Sequence, residues 1–122
     1  MKKSSQKSET ISKQRQRNYR VRYSIDFYND LKAITDYITL ELKNPDAAFR
    51  LVDSVEAAIN TRRPFAESFE RFDSKYQHKY DYYRIYVGNF IVFYVVIDEG
   101  DAGKVMEIRR LLYAKSDAAA HI

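Results

Sequence analysis

The sequence predicts an α+β two-layer sandwich, in which an antiparallel helix hairpin packs on an antiparallel β-meander. Residues 82–113 contain three β-rich runs that are joined by two short connections. Two apolar helical stripes precede them and are separated by little more than Asn44-Pro45-Asp46. With one earlier strand, the predicted order is β-α-α-β-β-β in a single domain over residues 19–122. The long connection allows the first strand to lie at either edge of the sheet.

The meander is predicted from its turns and from its middle strand. Gly88 and Asn89 both tolerate positive φ angles, which favours a two-residue hairpin. The second connection, residues 99–103, is polar and contains two of the three glycines. Residues 90–97 are almost entirely apolar, so we expect a central strand that is covered on both faces.

The first strand and the first helix follow from side-chain periodicity. In residues 19–23, apolar positions alternate with Arg20 and Arg22, which predicts a half-buried strand with a basic outer face. Ser24 is a predicted N-cap, and Asp26 suits the positive end of the helix that follows. This helix should end near Lys43, and its apolar stripe comprises Phe27, Leu31, Ile34, Ile38 and Leu42.

The second helix is predicted to begin at Asn44 as N-cap and Pro45 as first helical residue. It should end at residues 62–64, and its apolar face comprises Ala48, Leu51, Val55, Ala58 and Ile59. Residues 65–81 have no clear period. We expect Phe65, Phe69 and Phe72 to anchor this segment to the core, and residues 75–80 to form an aromatic and basic loop.

Positive charge is concentrated at the N-terminus. Residues 1–18 contain six basic residues and Glu9, a net charge of +5, so residues 19–122 carry 4 − 5 = −1. Residues 1–18 also have too little apolar surface to fold alone, which predicts a mobile basic tail. We favour a solubilising extension over an electrostatic arm for nucleic acid, because basic tails are common and unspecific.

Composition argues against several classes of site. The chain contains no cysteine, which excludes disulfides, thiol catalysis and zinc–thiolate sites. The two histidines, His78 and His121, are far apart, so we expect neither a metal site nor a cofactor. No apolar run is as long as a membrane span, and no secretory signal is visible, so we expect no membrane contact and a cytoplasmic location.

Three motifs together resemble a known family. They are a capped helix hairpin with Asn-Pro at its turn, a YR-x-Y-x-GN-x-x-VFY hairpin and a closing I-x-R-x-L-Y-x-x-x-D. Over about residues 19–117 the sequence resembles the RelE/ParE superfamily of bacterial type II toxins. The resemblance implies a growth-inhibiting toxin that is encoded beside a cognate antitoxin and neutralised by it. Any contact with operator DNA would be made through the antitoxin.

The resemblance implies one of two mechanisms. RelE-like members cleave mRNA in the ribosomal A site, which requires an acid–base pair and cations for the developing phosphate charge. ParE-like members poison DNA gyrase through protein contact. Arg84 matches a basic position of the nucleases, but Tyr86 and Ile91 stand where two further basic residues are expected. The missing cations favour the ParE-like function over a ribosome-dependent endoribonuclease. A toxin-fold protein that acts as a non-toxic, antitoxin-binding co-repressor is a third alternative.

The candidate functional residues lie mainly after the last strand. Family toxins place functional residues there, which selects Tyr113 and Lys115 first, with Asp117 as an orienting group. Arg84 belongs to the same candidate site, where it could contact phosphate or an acidic antitoxin residue. A structural salt bridge across the sheet is the alternative for Arg84.

Arg110 and Tyr94 support the candidate site together with Asp117, and His78 is considered separately. Arg110 lies two residues from both Ile108 and Leu112 and is expected to share their apolar face, so we expect it to pair with a buried carboxylate or to point into a cleft. Tyr94 lies in the central strand, where a core role is favoured over catalysis and its hydroxyl needs a partner. His78 could act as an acid or a base, but a solvent-exposed loop position is favoured.

Overall fold

The computed structural model describes residues 19–73 and 78–122. The predicted basic tail, residues 1–18, and residues 75–77 of the predicted aromatic loop lie outside the described residues. The predicted α+β fold is confirmed, and the described part adds a short strand and a short C-terminal helix. Its strands are β1 (Arg20–Tyr23), β2 (Arg71–Phe72), β3 (Tyr82–Val87), β4 (Phe90–Asp98) and β5 (Lys104–Tyr113), and its helices are α1 (Ile25–Asp36), α2 (Pro45–Arg62) and α3 (Asp117–Ala120).

The helix hairpin begins and turns where its capping residues predict. The Ser24 hydroxyl accepts a hydrogen bond from the Phe27 amide at 3.1 Å, and Asn44 Oδ1 accepts one from the Ala47 amide at 3.2 Å. A π-helical turn, Tyr37–Glu41, continues α1. Lys43 then takes a φ of 51°, the left-handed conformation that ends a helix.

The sheet has the strand order β1-β5-β4-β3-β2, so β4 is the central strand. Strands β2 to β5 pair antiparallel, and Gly88 and Asn89 form the turn between β3 and β4, as predicted. Strand β1 pairs parallel with β5 and lies at one edge of the sheet. The sequence analysis allowed either edge for this strand. The sheet is therefore mixed rather than purely antiparallel.

Both faces of the sheet contain buried apolar side chains. On the helix side, β3, β4 and β5 pack against Phe27 of α1 and against Val55 and Ile59 of α2. The opposite face, named here the outer face, has a second and smaller core, because β2 and α3 cover part of it. Its buried residues are Ile91, Phe93, Leu112 and Ala119, with Phe72 and Ile122 packed against them.

The expected aromatic anchors between α2 and β3 are only partly confirmed. Phe72 packs into the outer-face core, but the side chains of Phe65 and Phe69 are 46% and 48% exposed. Phe69 instead lies beneath the guanidinium of Arg62, whose Cζ is 3.5 Å from the ring centroid. The prediction for Phe65 and Phe69 was wrong, because about half of each side chain is exposed and neither belongs to a core cluster of the described residues.

Candidate functional site

The residues selected from the sequence lie on both faces of the sheet. Arg84 and Arg110 lie on the outer face. Their strand neighbours Ile85 and Leu111 belong to the helix-side core, and Arg110 pairs with Phe93 of the outer-face core. Tyr94 lies on the helix side and is fully buried. Tyr113 pairs with Phe90, which packs against the helix-side core. The structure thus brings Arg84 and Arg110 to one face and places Tyr113 on the other.

Arg110 is held by a carboxylate from α1. Its Nε and Nη2 donate to the two oxygens of Asp30 at 2.7 and 2.9 Å, and this pairing raises the pKa of Arg110. Asp30 also accepts a hydrogen bond from the backbone amide of Leu111 at 2.9 Å. Strand β1 pairs with β5 only as far as Ile108, so Leu111 lies beyond the end of this pairing. Arg110 is therefore a structural link between the helix hairpin and the sheet.

A register shift corrects the predicted face of Arg110. Phe93 pairs with Arg110 and Tyr94 pairs with Ile108, which leaves Arg109 as an extra residue in β5. Ile108 consequently faces the helices, whereas Leu112 belongs to the outer-face core. The expectation that Ile108, Arg110 and Leu112 share one face was wrong, because a bulge breaks the two-residue period.

The arginines at the β1 edge are also engaged by carboxylates. Glu107 accepts from Arg22 at 2.8 Å and from Arg109 at 2.5 Å. Burial would raise the pKa of Glu107, but these two hydrogen bonds outweigh it and lower the pKa overall. The stabilisation is present above the ordinary glutamate pKa and is lost as pH falls through the lowered value.

Arg84 has a different environment from the other arginines of the outer face. Its guanidinium carbon is 5.0 Å from the Phe72 ring centroid and 5.8 Å from that of Tyr86. Within residues 19–73 and 78–122, no carboxylate forms a salt bridge with it, so the alternative of a cross-sheet ion pair finds no partner there. Arg84 is a half-buried cation supported by aromatic rings and available to an anionic group.

Tyr94 is a core residue whose hydroxyl links three elements. The hydroxyl donates to the Ala66 carbonyl oxygen at 2.7 Å and accepts from Arg62 Nη1 at 2.9 Å. Burial raises the pKa of Tyr94, and the hydrogen bond from Arg62 offsets part of that rise. The predicted core role, with a partner for the hydroxyl, agrees with this geometry.

We expect Tyr94→Phe to lower the free energy of unfolding by about 1–3 kcal/mol, because it leaves the buried Ala66 carbonyl without its donor. Chemical denaturation of the purified chain would measure the loss. Tyr86→Phe is the matched control, since the Tyr86 side chain is 62% exposed and should tolerate the change. Equal stability of the Tyr94 and Tyr86 variants would contradict a structural role for the Tyr94 hydroxyl.

Tyr113 borders an apolar hollow between the sheet and the helix hairpin. The Tyr113 ring meets Phe90 edge-on at a centroid distance of 5.7 Å and is 45% exposed. The hollow has a volume of about 630 Å³ and also contacts the end of α1 and the π-helical turn. Such a surface suits an apolar side chain of a binding partner better than a phosphate.

Lys115 and Asp117 lie beyond β5 and are exposed. Lys115 occupies the turn before α3, and Asp117 is the first residue of that helix, which Ser116 caps. Among the described residues, no hydrogen bond or ion pair links Tyr113, Lys115 and Asp117. Their joint role stays a prediction. His78 is exposed, as expected, and its ring lies 4.7 Å from that of Tyr82.

No sequence signal identifies the partners of Arg110 and Tyr94. The helical pattern gives Asp30 no distinct role, and Arg62 only marks the predicted end of the second helix. Their partners are 80 and 32 residues away, and no local pattern reports such a distance. Asp30 and Arg62 are nevertheless the residues that fix Arg110 and Tyr94.

The parts of the chain that the structure describes include no helix with both the length and the apolar character to cross a membrane. Nor do residues 19–73 and 78–122 bring together three histidine, cysteine, aspartate or glutamate side chains that could hold a metal ion.

The strand, the helix hairpin and the mixed sheet, with basic side chains on its outer face, define a toxin fold of the RelE/ParE superfamily. The chain belongs to the family of ParE toxins of type II toxin–antitoxin systems, parDE, whose family model matches residues 21–117. No sequence in the comparison with curated proteins is significantly similar to it.

Two solved structures are similar to this chain. One is a chromosomal ParDE toxin–antitoxin system from P. aeruginosa, with 18% identity and a TM-score of 0.59. The match covers 78% of this chain and 95% of that one. The other is an archaeal RelE–RelB complex from Pyrococcus horikoshii OT3, with 21% identity, a TM-score of 0.45 and coverage of 80% and 96%. The first similarity supports the fold.

Proposed function

We propose that this chain is the toxin of a type II toxin–antitoxin module and that a cognate antitoxin neutralises it. The toxin arrests growth by binding a protein target, and DNA gyrase is the first candidate for that target. The observation that carries the proposal is the match of residues 21–117 to the ParE toxin family. The absence of a membrane-spanning helix among the described residues is compatible with action in the cytoplasm.

The outer face supports a protein target over cleavage of mRNA. Ile91 replaces the phosphate-binding arginine expected of RelE-like nucleases and is only 7% exposed within the outer-face core. Arg110 is paired with Asp30. A phosphorane would need several free cations and an acid–base pair in one place. On the outer face, only Arg84 is free of a carboxylate partner among the described arginines of β3 and β5.

The helix hairpin supports neutralisation by an amphipathic antitoxin segment. Six large apolar side chains of the hairpin are more than half exposed, and two of them, Tyr37 and Leu42, line the hollow beside Tyr113. The six are Ile25, Tyr28, Tyr37, Leu40, Leu42 and Phe49. A disordered partner can cover such a surface when it folds on binding. We propose that operator DNA is contacted only through this antitoxin.

Induced expression of the chain in growing bacteria tests the proposal. We expect growth arrest, and we expect co-expression of the small protein encoded beside it to restore growth. Purified chain should inhibit supercoiling by DNA gyrase, and primer extension should find no new mRNA ends at ribosomal A sites. Arg84→Ala, Tyr113→Phe and Lys115→Ala should each weaken growth arrest, whereas Lys32→Ala, an exposed change on α1, should not.

Three outcomes would contradict all or part of the proposal. Strong A-site cleavage that the three site variants abolish, with gyrase unaffected, would establish a ribosome-dependent endoribonuclease. Normal growth at high expression of folded chain would leave a non-toxic, antitoxin-binding co-repressor. Inhibition of another protein, with gyrase unaffected, would retain the toxin but exclude gyrase as its target.

A further inference from the structure

The helix hairpin has a small aromatic hollow at the end that lies next to β1. Its volume is about 190 Å³, and the rings of Tyr23, Phe27 and Tyr28 line one side of it. The centroids of these rings lie 5.3 to 6.0 Å apart. Helix α2 lines the other side, which is apolar except for Glu56. Aromatic rings beside a carboxylate suit a basic side chain with an apolar stem.

The carboxylate of Glu56 is available to such a side chain. Glu56 is exposed, and no cation of residues 19–73 or 78–122 forms a salt bridge with it. Burial raises the pKa of Tyr23, and the negative charge of Glu56 adds to this rise, which places the carboxylate close to the ring. Asp53, one turn earlier on α2, is also exposed and has no salt bridge within the described part of the chain.

The helix hairpin is the acidic layer of the molecule. Residues 25–62 contain four basic and seven acidic residues, a net charge of 4 − 7 = −3. Residues 1–18 carry a net charge of +5, and they precede the part of the chain that matches the ParE family, residues 21–117. The family match therefore gives no role to this basic segment, and its charge is opposite to that of the helices.

The N-terminal segment joins the described structure close to the hollow. Tyr19 is buried, and its carbonyl oxygen accepts a hydrogen bond from Arg63 Nε at 2.7 Å. Arg63 is the C-cap of α2, and Glu56 lies seven residues before it, about 10 Å along the helix. Arg17 is two residues before Tyr19, and two extended residues span about 7 Å before the length of the side chain is added. Arg17 can therefore reach Glu56 while Tyr19 stays in place.

A second arginine continues the match between the segment and α2. Arg15 is two residues before Arg17, so in an extended segment the two side chains point to the same side, about 7 Å apart. Glu56 and Asp53 are three residues apart on α2, which makes them neighbours on the helix surface, about 5–6 Å apart. Arg17 and Arg15 can thus meet Glu56 and Asp53 at the same time.

We propose that the basic N-terminal segment, residues 1–18, docks on the helix hairpin of its own chain. Arg17 enters the aromatic hollow and pairs with Glu56, and Arg15 pairs with Asp53. Each contact is weak alone, but a tethered segment has a roughly millimolar effective concentration, which favours docking. A partner that covers this end of the hairpin must first displace the segment. The contact does not depend on the proposed target.

Paramagnetic relaxation in the full chain tests the docking. The chain contains no cysteine, so Ser12→Cys adds a single thiol for a nitroxide spin label. In the ¹⁵N-labelled and spin-labelled chain, we expect strong broadening of the amide signals of Tyr28, Val52 and Glu56. The signal of Lys115, beyond the far end of β5, should keep its intensity. The same chain with the nitroxide reduced is the diamagnetic reference.

Charge reversal separates a specific contact from a loose collapse of the segment. Glu56→Arg should abolish the broadening at the hollow because it brings two cations together, and Arg17→Glu should do so because it brings two carboxylates together. The two changes combined should restore the broadening, which a purely structural effect of either change would not do. Glu41→Arg is the matched control, because Glu41 is exposed at the other end of the hairpin and this variant should leave the broadening unchanged.

Other outcomes would contradict the docking. Equal broadening of all exposed amides, or broadening confined to the outer face, would show that the segment does not bind at the hollow. Unchanged broadening in Glu56→Arg would exclude the paired charges. Broadening of a ¹⁵N-labelled chain without spin label by a spin-labelled ¹⁴N chain would assign the hollow to the segment of a second copy. Saturation of the hollow by a capped peptide of alternating arginine and serine, without broadening from the chain's own label, would assign it to a separate basic partner.

Discussion

Replacement of Phe93 by alanine should lower the free energy of unfolding by about 3–5 kcal/mol. Phe93 is fully buried on the outer face, where its ring centroid lies 5.3 Å from that of Phe72 and 6.4 Å from that of Tyr82. The substitution removes this contact area and leaves a cavity that β2 and α3 cannot close without moving. A side chain on a solvated sheet face would give a far smaller loss.

Urea denaturation followed by circular dichroism would measure this effect, with Tyr86→Ala as the control. Tyr86 lies on the same face but is 62% exposed, so its removal should cost less than about 1 kcal/mol. If the two variants were equally stable, the outer face would not contain a second core, and β2 and α3 would contribute little to folding.

Replacement of Asp30 by alanine should lower the free energy of unfolding by about 2–4 kcal/mol. The change removes both acceptors of Arg110 and the partner of the Leu111 amide. The side chains of Asp30 and Arg110 are 15% and 35% exposed, so water replaces only part of what is lost. The expected value lies below that of a fully buried pair because of this partial exposure.

The matched control for Asp30 lies on the same helix. Asp36 pairs with Lys32 at 2.6 Å, but these side chains are 52% and 76% exposed, so Asp36→Ala should change stability by about 0.5 kcal/mol or less. A double-mutant cycle with Arg110→Ala would isolate the coupling energy between Asp30 and Arg110. A coupling near zero would contradict the role of Asp30 as a link between helix and sheet.

Local chemistry was sufficient to predict most elements of this fold. Ser24 and Asn44 cap their helices through their own side chains, and Gly88 with Asn89 turns the β3–β4 hairpin. These features depend on residues within one or two turns of each other. The parallel pairing of β1 with β5, the two-residue strand β2 and the short helix α3 depend on distant contacts, and periodicity does not report them.

The candidate site was predicted less well than the fold for the same reason. Sequence order grouped Arg84 and Tyr113, but the sheet separates them onto its two faces. The bulge at Arg109 places Ile108 and Arg110 on opposite faces of the sheet, although they are two residues apart. No signal in the sequence marks a bulge of this kind. The burial of Ile91 could be predicted only in part, since α3 supplies part of its cover.

The pairing of the first strand with the last has a consequence for synthesis of the protein. Ser24 bonds to the backbone of β5 across 85 residues, so the edge of the sheet cannot form until nearly the whole chain has been translated. Closing so long a loop carries a large entropic cost, and topologies of this kind fold slowly. The helix hairpin can form early, but it has no sheet to cover until β4 and β5 emerge. A nascent or truncated chain therefore lacks the finished surface, and any function of that surface begins only after strand β5 is complete.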